Sequence, residues 1–189
     1  MSDVLSEKKG KELLELARKT LSHKLSGGEE PKIPEDPALH KRAATFVTLK
    51  IEGKLRGCIG TLQPVGPLWE GVRDNAFNAA FHDSRFSPLR PRELQQVHLD
   101  ISILSEPKPL LYEDAEDLLG RLRPNIDGVI LSDGNHRATF LPQVWQQLPD
   151  PGRFLEQLCA KAGLSRTVWR EKKLDIQTYQ VQCFAEEKV

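Results

Sequence analysis

Residues 43–60 constrain the fold of this chain more than any other stretch. Ala43 to Ile51 alternates apolar and polar side chains, Glu52-Gly53-Lys54 has the make-up of a turn, and Leu55 to Gly60 alternates again. Alternation at period two marks a half-buried strand, so the segment predicts a β-hairpin. Successive strand side chains point to opposite faces. Leu55, Gly57 and Ile59 are therefore expected on one face and Arg56 with Cys58 on the other, which sets a guanidinium beside a thiol. Val97 to Leu104 repeats the pattern with Val97, Leu99, Ile101 and Ile103, and is expected in the same sheet.

Helical spacing appears elsewhere. Leu13, Leu14, Leu16, Ala17, Leu21 and Leu25 form an apolar stripe across residues 7–26, and Gly27-Gly28 stop the helix. Pro31, Pro34 and Pro37 make residues 27–41 an extended connector. Pro67 suits the first turn of a second helix running to about His82, with Leu68, Val72, Ala76, Ala79 and Ala80 facing the core. Asn75, Asn78 and His82 then share one helical face. Further on, the pattern predicts a short helix near Asp114–Leu122. A hairpin is expected around Asp133-Gly134-Asn135, helices over Gln143–Leu148 and Arg153–Ala162, and one final strand from Ile176 to Phe184. No run of βαβ units is present. The expected class is α+β: a largely antiparallel sheet with flanking helices, in one domain spanning residues 1–189.

Charge narrows the function classes. Lys and Arg number 27 and so do Asp and Glu, for a formal net charge of zero. Nucleic-acid affinity rests largely on neutralising phosphates, so nucleic-acid binding is expected to be weak and salt-dependent. Neutrality also favours weak homo-oligomerisation. The three cysteines, Cys58, Cys159 and Cys183, form no C-x-x-C pair. A disulfide framework or zinc knuckle is not expected, and a reducing cytoplasm is. Charged residues from Glu7 to Glu15 interrupt the N-terminal region. No apolar run approaches the roughly 18 residues of a membrane span, so neither a leader nor a membrane anchor is expected.

Candidate chemistry centres on Cys58. A neighbouring Arg56 would favour its thiolate, the nucleophilic form, whereas Cys159 and Cys183 read as packing residues. Gly57 and Gly60 leave room for a ligand or for close backbone packing. Their G-x-x-G spacing ends a strand, unlike the nucleotide-clamping loop of KH domains, which joins two helices. Arg56 and Arg85 are candidate anchors for a carboxylate or phosphate. Asn75 and Asn78 are candidate hydrogen-bond donors to such a ligand. His82 is a weaker candidate base, because a histidine at a helix C-terminus also complements the dipole. His98, Asp100 and Ser102 alternate as on any solvent-facing strand, and no spacing marks a metal site.

Several motifs in order resemble the AMMECR family. Leu55-Arg56-Gly57-Cys58-Ile59-Gly60 is similar to its signature, preceded by Phe46-Val47-Thr48-Leu49. Asp83-Ser84-Arg85-Phe86-Ser87-Pro88 resembles its D-x-R-F-x-P segment, with Ser84 and Ser87 where proline is common. Ile126-Asp127-Gly128-Val129, Leu141-Pro142-Gln143-Val144 and Leu158-Cys159-Ala160-Lys161-Ala162-Gly163-Leu164 resemble further blocks. The resemblance implies an α+β fold with two subdomains and the signature near a cleft between them. It also implies a pathway rather than a reaction: the family's genes often neighbour a Memo-like protein and a radical SAM enzyme, which makes these candidate partners in a shared modification. Three readings follow. The chain is a pathway component with a reactive Cys58, a noncatalytic binding or scaffold subunit for a small-molecule or macromolecular ligand, or an RNA-binding module.

Overall fold

The computed structural model describes residues 4–187. The chain forms two compact units: residues up to Leu104 together with those from Gln182 on, and Ser105–Val181 between them. The fold is α+β.

The first unit is built on the predicted hairpin. Helix α1 (Glu7–Ser26) precedes strands β1 (Ala44–Ile51) and β2 (Lys54–Gly60), helix α2 (Leu68–Phe81) and strand β3 (Val97–Leu104). Leu13, Ala17 and Leu21 of α1 and Val72, Ala76 and Ala79 of α2 pack with Val47, Leu49, Leu99 and Ile101 of the strands. Each Leu, Val or Ile among them stabilises the fold by about 1.5–3 kcal/mol on burial, and each Ala by less. Helix α1 ends at Gly27, whose left-handed φ of 66° lets its N–H reach the His23 carbonyl.

Two details of the hairpin differ from the sequence expectation. The turn has two central residues, Glu52 (φ 50°) and Gly53 (φ 76°), the positive-φ geometry that matches strand twist. Lys54 therefore already belongs to β2. The register also slips between Leu49 and Lys50: Gly57 pairs with Leu49, but Leu55 pairs with Lys50. Arg56 is the extra residue of this bulge. Directly opposed residues share a face, so Leu55 leaves the face of Gly57 and Ile59 and stands 45% exposed.

The second unit contains β4 (Lys108–Pro109), α3 (Ala115–Arg121), β5 (Gly128–Asp133), β6 (His136–Phe140), α4 (Pro151–Lys161), α5 (Val168–Glu171) and β7 (Asp175–Tyr179). Val129, Leu131 and Ile176 pack with Leu118, Trp145, Phe154, Leu158 and Cys159. Trp145 stacks on Phe154 with ring centroids 3.7 Å apart. Gln143–Leu148, expected as a helix, is a short 3-10 turn over Pro142–Gln146.

The expected last strand is two strands. Strand β7 ends at Tyr179 and β8 (Val181–Ala185) begins after Gln180. One sheet runs β2-β1-β3-β8 and the other β4-β7-β5-β6, so the stretch from Ile176 to Phe184 serves both. Gln180 is the break: its carbonyl accepts the Ser105 N–H at 2.8 Å, and its own N–H donates to Ser105 Oγ at 2.9 Å. The hairpin and β3 share one sheet, with Thr48 between Cys58 and Asp100.

Candidate functional site

Strand β2 is an edge strand. An edge strand leaves alternate backbone groups unpaired, and at Cys58 those groups are taken by side chains from a loop. The Cys58 N–H donates to Asp83 Oδ2 at 2.9 Å, and the Cys58 carbonyl accepts from Arg85 Nη2 at 3.2 Å. Asp83 and Arg85 are themselves forked together. Arg85 Nη2 lies 2.7 Å from Asp83 Oδ2 and Nε lies 2.9 Å from Oδ1, which also accepts the Arg85 backbone N–H at 3.1 Å. An ion pair thus occupies the position of a neighbouring strand.

The electrostatics follow from these bonds. The Asp83 side chain is only 4% exposed. The Arg85 guanidinium, bonded to both its oxygens, holds its carboxyl well below the usual carboxylate range; the Cys58 and Arg85 backbone N–H groups act in the same direction against burial. The same contact raises Arg85. Arg85 itself is 55% exposed on its side chain. Its Nε and Nη2 are used, which leaves the Nη1 amino group without a hydrogen bond among the described residues.

The thiol is held from the neighbouring strand. Cys58 is half-buried. Its sulfur accepts a hydrogen bond from Thr48 Oγ1 at 3.3 Å, across the β1–β2 pair. Arg56, two residues earlier, spends its fork on Glu93, with Nε at 2.9 Å from Oε1 and Nη2 at 3.2 Å from Oε2. Glu93 is fixed in turn by the Arg90 N–H at 2.8 Å. The Arg56 bond and then this backbone bond draw its carboxyl down against burial. Phe86 stands near both arginines, its ring centroid 6.0 Å from the Arg56 guanidinium carbon and 5.5 Å from that of Arg85. Arg56 Nη1 is buried without a partner.

The other candidates fall in three places. Gly57 faces α2: a Cβ there would stand 2.1 Å from the Ala79 carbonyl oxygen, so only glycine permits this approach. A Cβ on Gly60 would meet the Phe46 ring at 2.3 Å. Asn75 is buried and donates to Thr45 O at 3.0 Å and Thr45 Oγ1 at 2.9 Å, tying α2 to β1. Thr45 lies in register with Val47 and Leu49, on the face opposite Thr48 and Cys58. Asn78 Oδ1 meets His82 Nδ1 at 2.9 Å at the exposed end of α2. Arg56, Cys58 and Arg85 therefore come together at the β2 edge, and Asn75, Asn78 and His82 lie apart from them.

Thr48, Asp83 and Glu93 were not singled out by sequence. Counting back from the observed two-residue turn would set Thr48 opposite Gly57, and the bulge at Arg56 moves it to Cys58. The D-x-R spacing of Asp83 and Arg85 was a usable signal for a local fork. Nothing in the sequence joins Glu93 to Arg56 across 37 positions. Among the described residues, no three His, Cys, Asp or Glu side chains cluster as metal ligands. No helix among them is long and apolar enough to cross a membrane.

The family model described as AMMECR1 matches residues 14–184. A protein of Methanothermobacter thermautotrophicus is 35% identical over 97% of this chain and 97% of its own length. One from Thermofilum pendens is 36% identical over 96% of this chain and 92% of its own. The crystal structure of the uncharacterized protein PH0010 from Pyrococcus horikoshii superposes with a TM-score of 0.82 at 30% identity. That match covers 97% of this chain and 94% of the other.

Proposed function

The chain belongs to the AMMECR1 family, and on that premise we propose that it is the thiol-bearing component of a modification pathway, with Memo-like and radical SAM proteins as partners. In this reading Cys58 is the nucleophile or covalent carrier, and Arg85 anchors an anionic group on the electrophile. One observation carries the reading: the Cys58 peptide is fixed through both its N–H and its carbonyl, in a half-buried residue whose sulfur has a hydroxyl donor 3.3 Å away. A rigid backbone lowers the cost of presenting a nucleophile in one geometry. The Thr48 hydroxyl donates to the sulfur and so orients the thiol. The unused Nη1 of Arg85 supplies two N–H donors for a carboxylate or phosphate.

Alkylation by a matched pair of reagents tests this reading. Iodoacetate and iodoacetamide react alike, the thiolate forming a C–S bond to the methylene as iodide leaves, but only iodoacetate carries a carboxylate. Cys183, which is exposed, is the internal reference. The ratio of iodoacetate to iodoacetamide rates should be several-fold higher at Cys58 than at Cys183. Arg85→Ala should erase that preference, and Thr48→Val should slow both reagents at Cys58. A Cys58 that stays unmodified in the native protein while Cys183 reacts would make it a packing residue. Copurification with Memo-like and radical SAM proteins tests the pathway separately.

A further inference from the structure

The Ser105–Val181 unit carries a groove of about 360 Å³ that has no part in the reading of Cys58. Its volume lies at the small end of the range for ligand sites. Three of its lining residues form one row across the sheet: Asp175 of β7 pairs with Ser132 of β5, which pairs with Arg137 of β6. Directly opposed residues share a face. This face is the one opposite Leu131, Ala138 and Ile176, which enter the core. The row therefore reads carboxylate, hydroxyl, guanidinium.

Neighbouring strands lie about 4.8 Å apart, so Asp175 and Arg137 stand about 10 Å apart at their backbones and form no ion pair with each other. Lys173 also lines the groove, but its ammonium sits 5.3 Å above the Tyr112 ring and is in no ion pair with Asp175. Leu111 gives the groove an apolar wall and is 80% exposed. The Leu110 N–H bonds the Ile176 carbonyl at 2.9 Å, which puts that wall at the Asp175 end of the row.

We propose that this groove binds a dipeptide-sized zwitterion with an apolar first residue. Its ammonium is received by Asp175, its carboxylate by Arg137, its peptide group by Ser132, and its first side chain by Leu111. An extended dipeptide spans about 7 Å, which brings both ends within reach of side chains rooted about 10 Å apart.

Backbone-amide NMR titration of the full chain with leucyl-glycine tests the proposal. The amides of Ser132, Arg137 and Asp175 should shift saturably. N-acetyl-leucyl-glycine, which lacks the ammonium, and leucyl-glycinamide, which lacks the carboxylate, should each bind about tenfold more weakly, the loss expected for one charge-assisted hydrogen bond. Asp175→Asn and Arg137→Gln, both at exposed positions, should weaken leucyl-glycine by a similar factor and leave the spectrum otherwise native. No saturable shift, or blocked peptides that bind as well as the free one, would overturn the proposal. So would inorganic phosphate matching leucyl-glycine, which would reduce the groove to a cationic patch. Alkylation of Cys58 is unaffected by any of these results, so this proposal and the thiol reading fail independently.

Discussion

Two aspartates are buried among the described residues, one in each unit, and both are neutralised by an arginine close in sequence. Asp83 is forked by Arg85 and Asp127 by Arg123, whose Nη2 lies 2.6 Å from Asp127 Oδ1. The carboxylates are 4% and 2% exposed, and their arginines are about half exposed. The difference lies in what the remaining oxygen bonds are used for. Asp127 turns back on its own loop, accepting the Arg123 backbone N–H at 3.1 Å. Asp83 reaches across 25 positions to the Cys58 N–H. The same pair of residue types therefore closes a loop in one unit and completes a sheet edge in the other. Only the second use fixes the peptide of a cysteine.

The largest expected effect comes from the glycine next to each device. Gly57→Ala drives a Cβ into a helix backbone carbonyl and should cost roughly 3 to 4 kcal/mol, the upper end of overpacking. Gly128→Ala, which follows Asp127, meets the Tyr179 ring instead. A ring tilts more readily than a carbonyl moves, so about 2 kcal/mol is expected. Urea midpoints of the two variants measure the difference, and equal values would erase the distinction between edge and loop.

Asp83→Ala should follow at about 3 kcal/mol, because it strips both the guanidinium and the Cys58 N–H of their partner. Asp127→Ala should cost about 2 kcal/mol, since its losses stay within one loop. Amide exchange separates the two further: Cys58 should lose protection in the first variant and keep it in the second.

The pH dependence of Asp83 has a fixed sign. Its carboxyl titrates below the usual range when folded. The stability it contributes is therefore fully present above the ordinary carboxylate titration near pH 4, and is lost as pH falls from there toward the depressed folded value. The gap in urea midpoint between the wild-type protein and Asp83→Asn should be the same at pH 7 and pH 5.5 and should close progressively below about pH 4. A gap that already shrinks between pH 7 and pH 5.5 would assign the effect to another group.

The smallest effect is expected at the arginines. Arg85→Ala and Arg123→Ala should each cost about 1 kcal/mol, because water can replace a half-exposed guanidinium while each carboxylate keeps its backbone N–H donors. Differential scanning calorimetry should place the two within about 0.5 kcal/mol of each other. A much larger loss at Arg85 would mean that the edge depends on its bond to the Cys58 carbonyl more than on Asp83.

Much of the fold was legible in the sequence, for identifiable reasons. The 7–26 helix, the 97–104 strand and the 43–60 hairpin follow from periodicity, which burial enforces directly. The bulge at Arg56 was not legible, because alternation counts residues and a bulge adds one without changing their types. The break at Gln180 was hidden because the residues on both sides of it are apolar at strand spacing. At the candidate site, Arg56, Cys58 and Arg85 were found through their chemistry. Thr48 and Glu93 depend on register and on a distant turn, and Asp83 was passed over although its D-x-R spacing lay in view. Asn75 read as a ligand donor from its helical face, but the structure uses it to fasten α2 to β1.

The break at Gln180 also sets an order on folding. Strand β8 pairs with β3 only after Ser105–Val181 has been synthesised, so the first unit is discontinuous in the chain while the second is continuous. During N-to-C synthesis the second unit can acquire all its strands before the first receives its last one. Folding the second unit first would also shorten the effective loop that β8 must close, which reduces the entropy of that closure. The C-terminal segment is thus the final strand of the N-terminal unit. Removing it exposes a new edge at β3, with its unpaired backbone groups, in a unit otherwise already assembled.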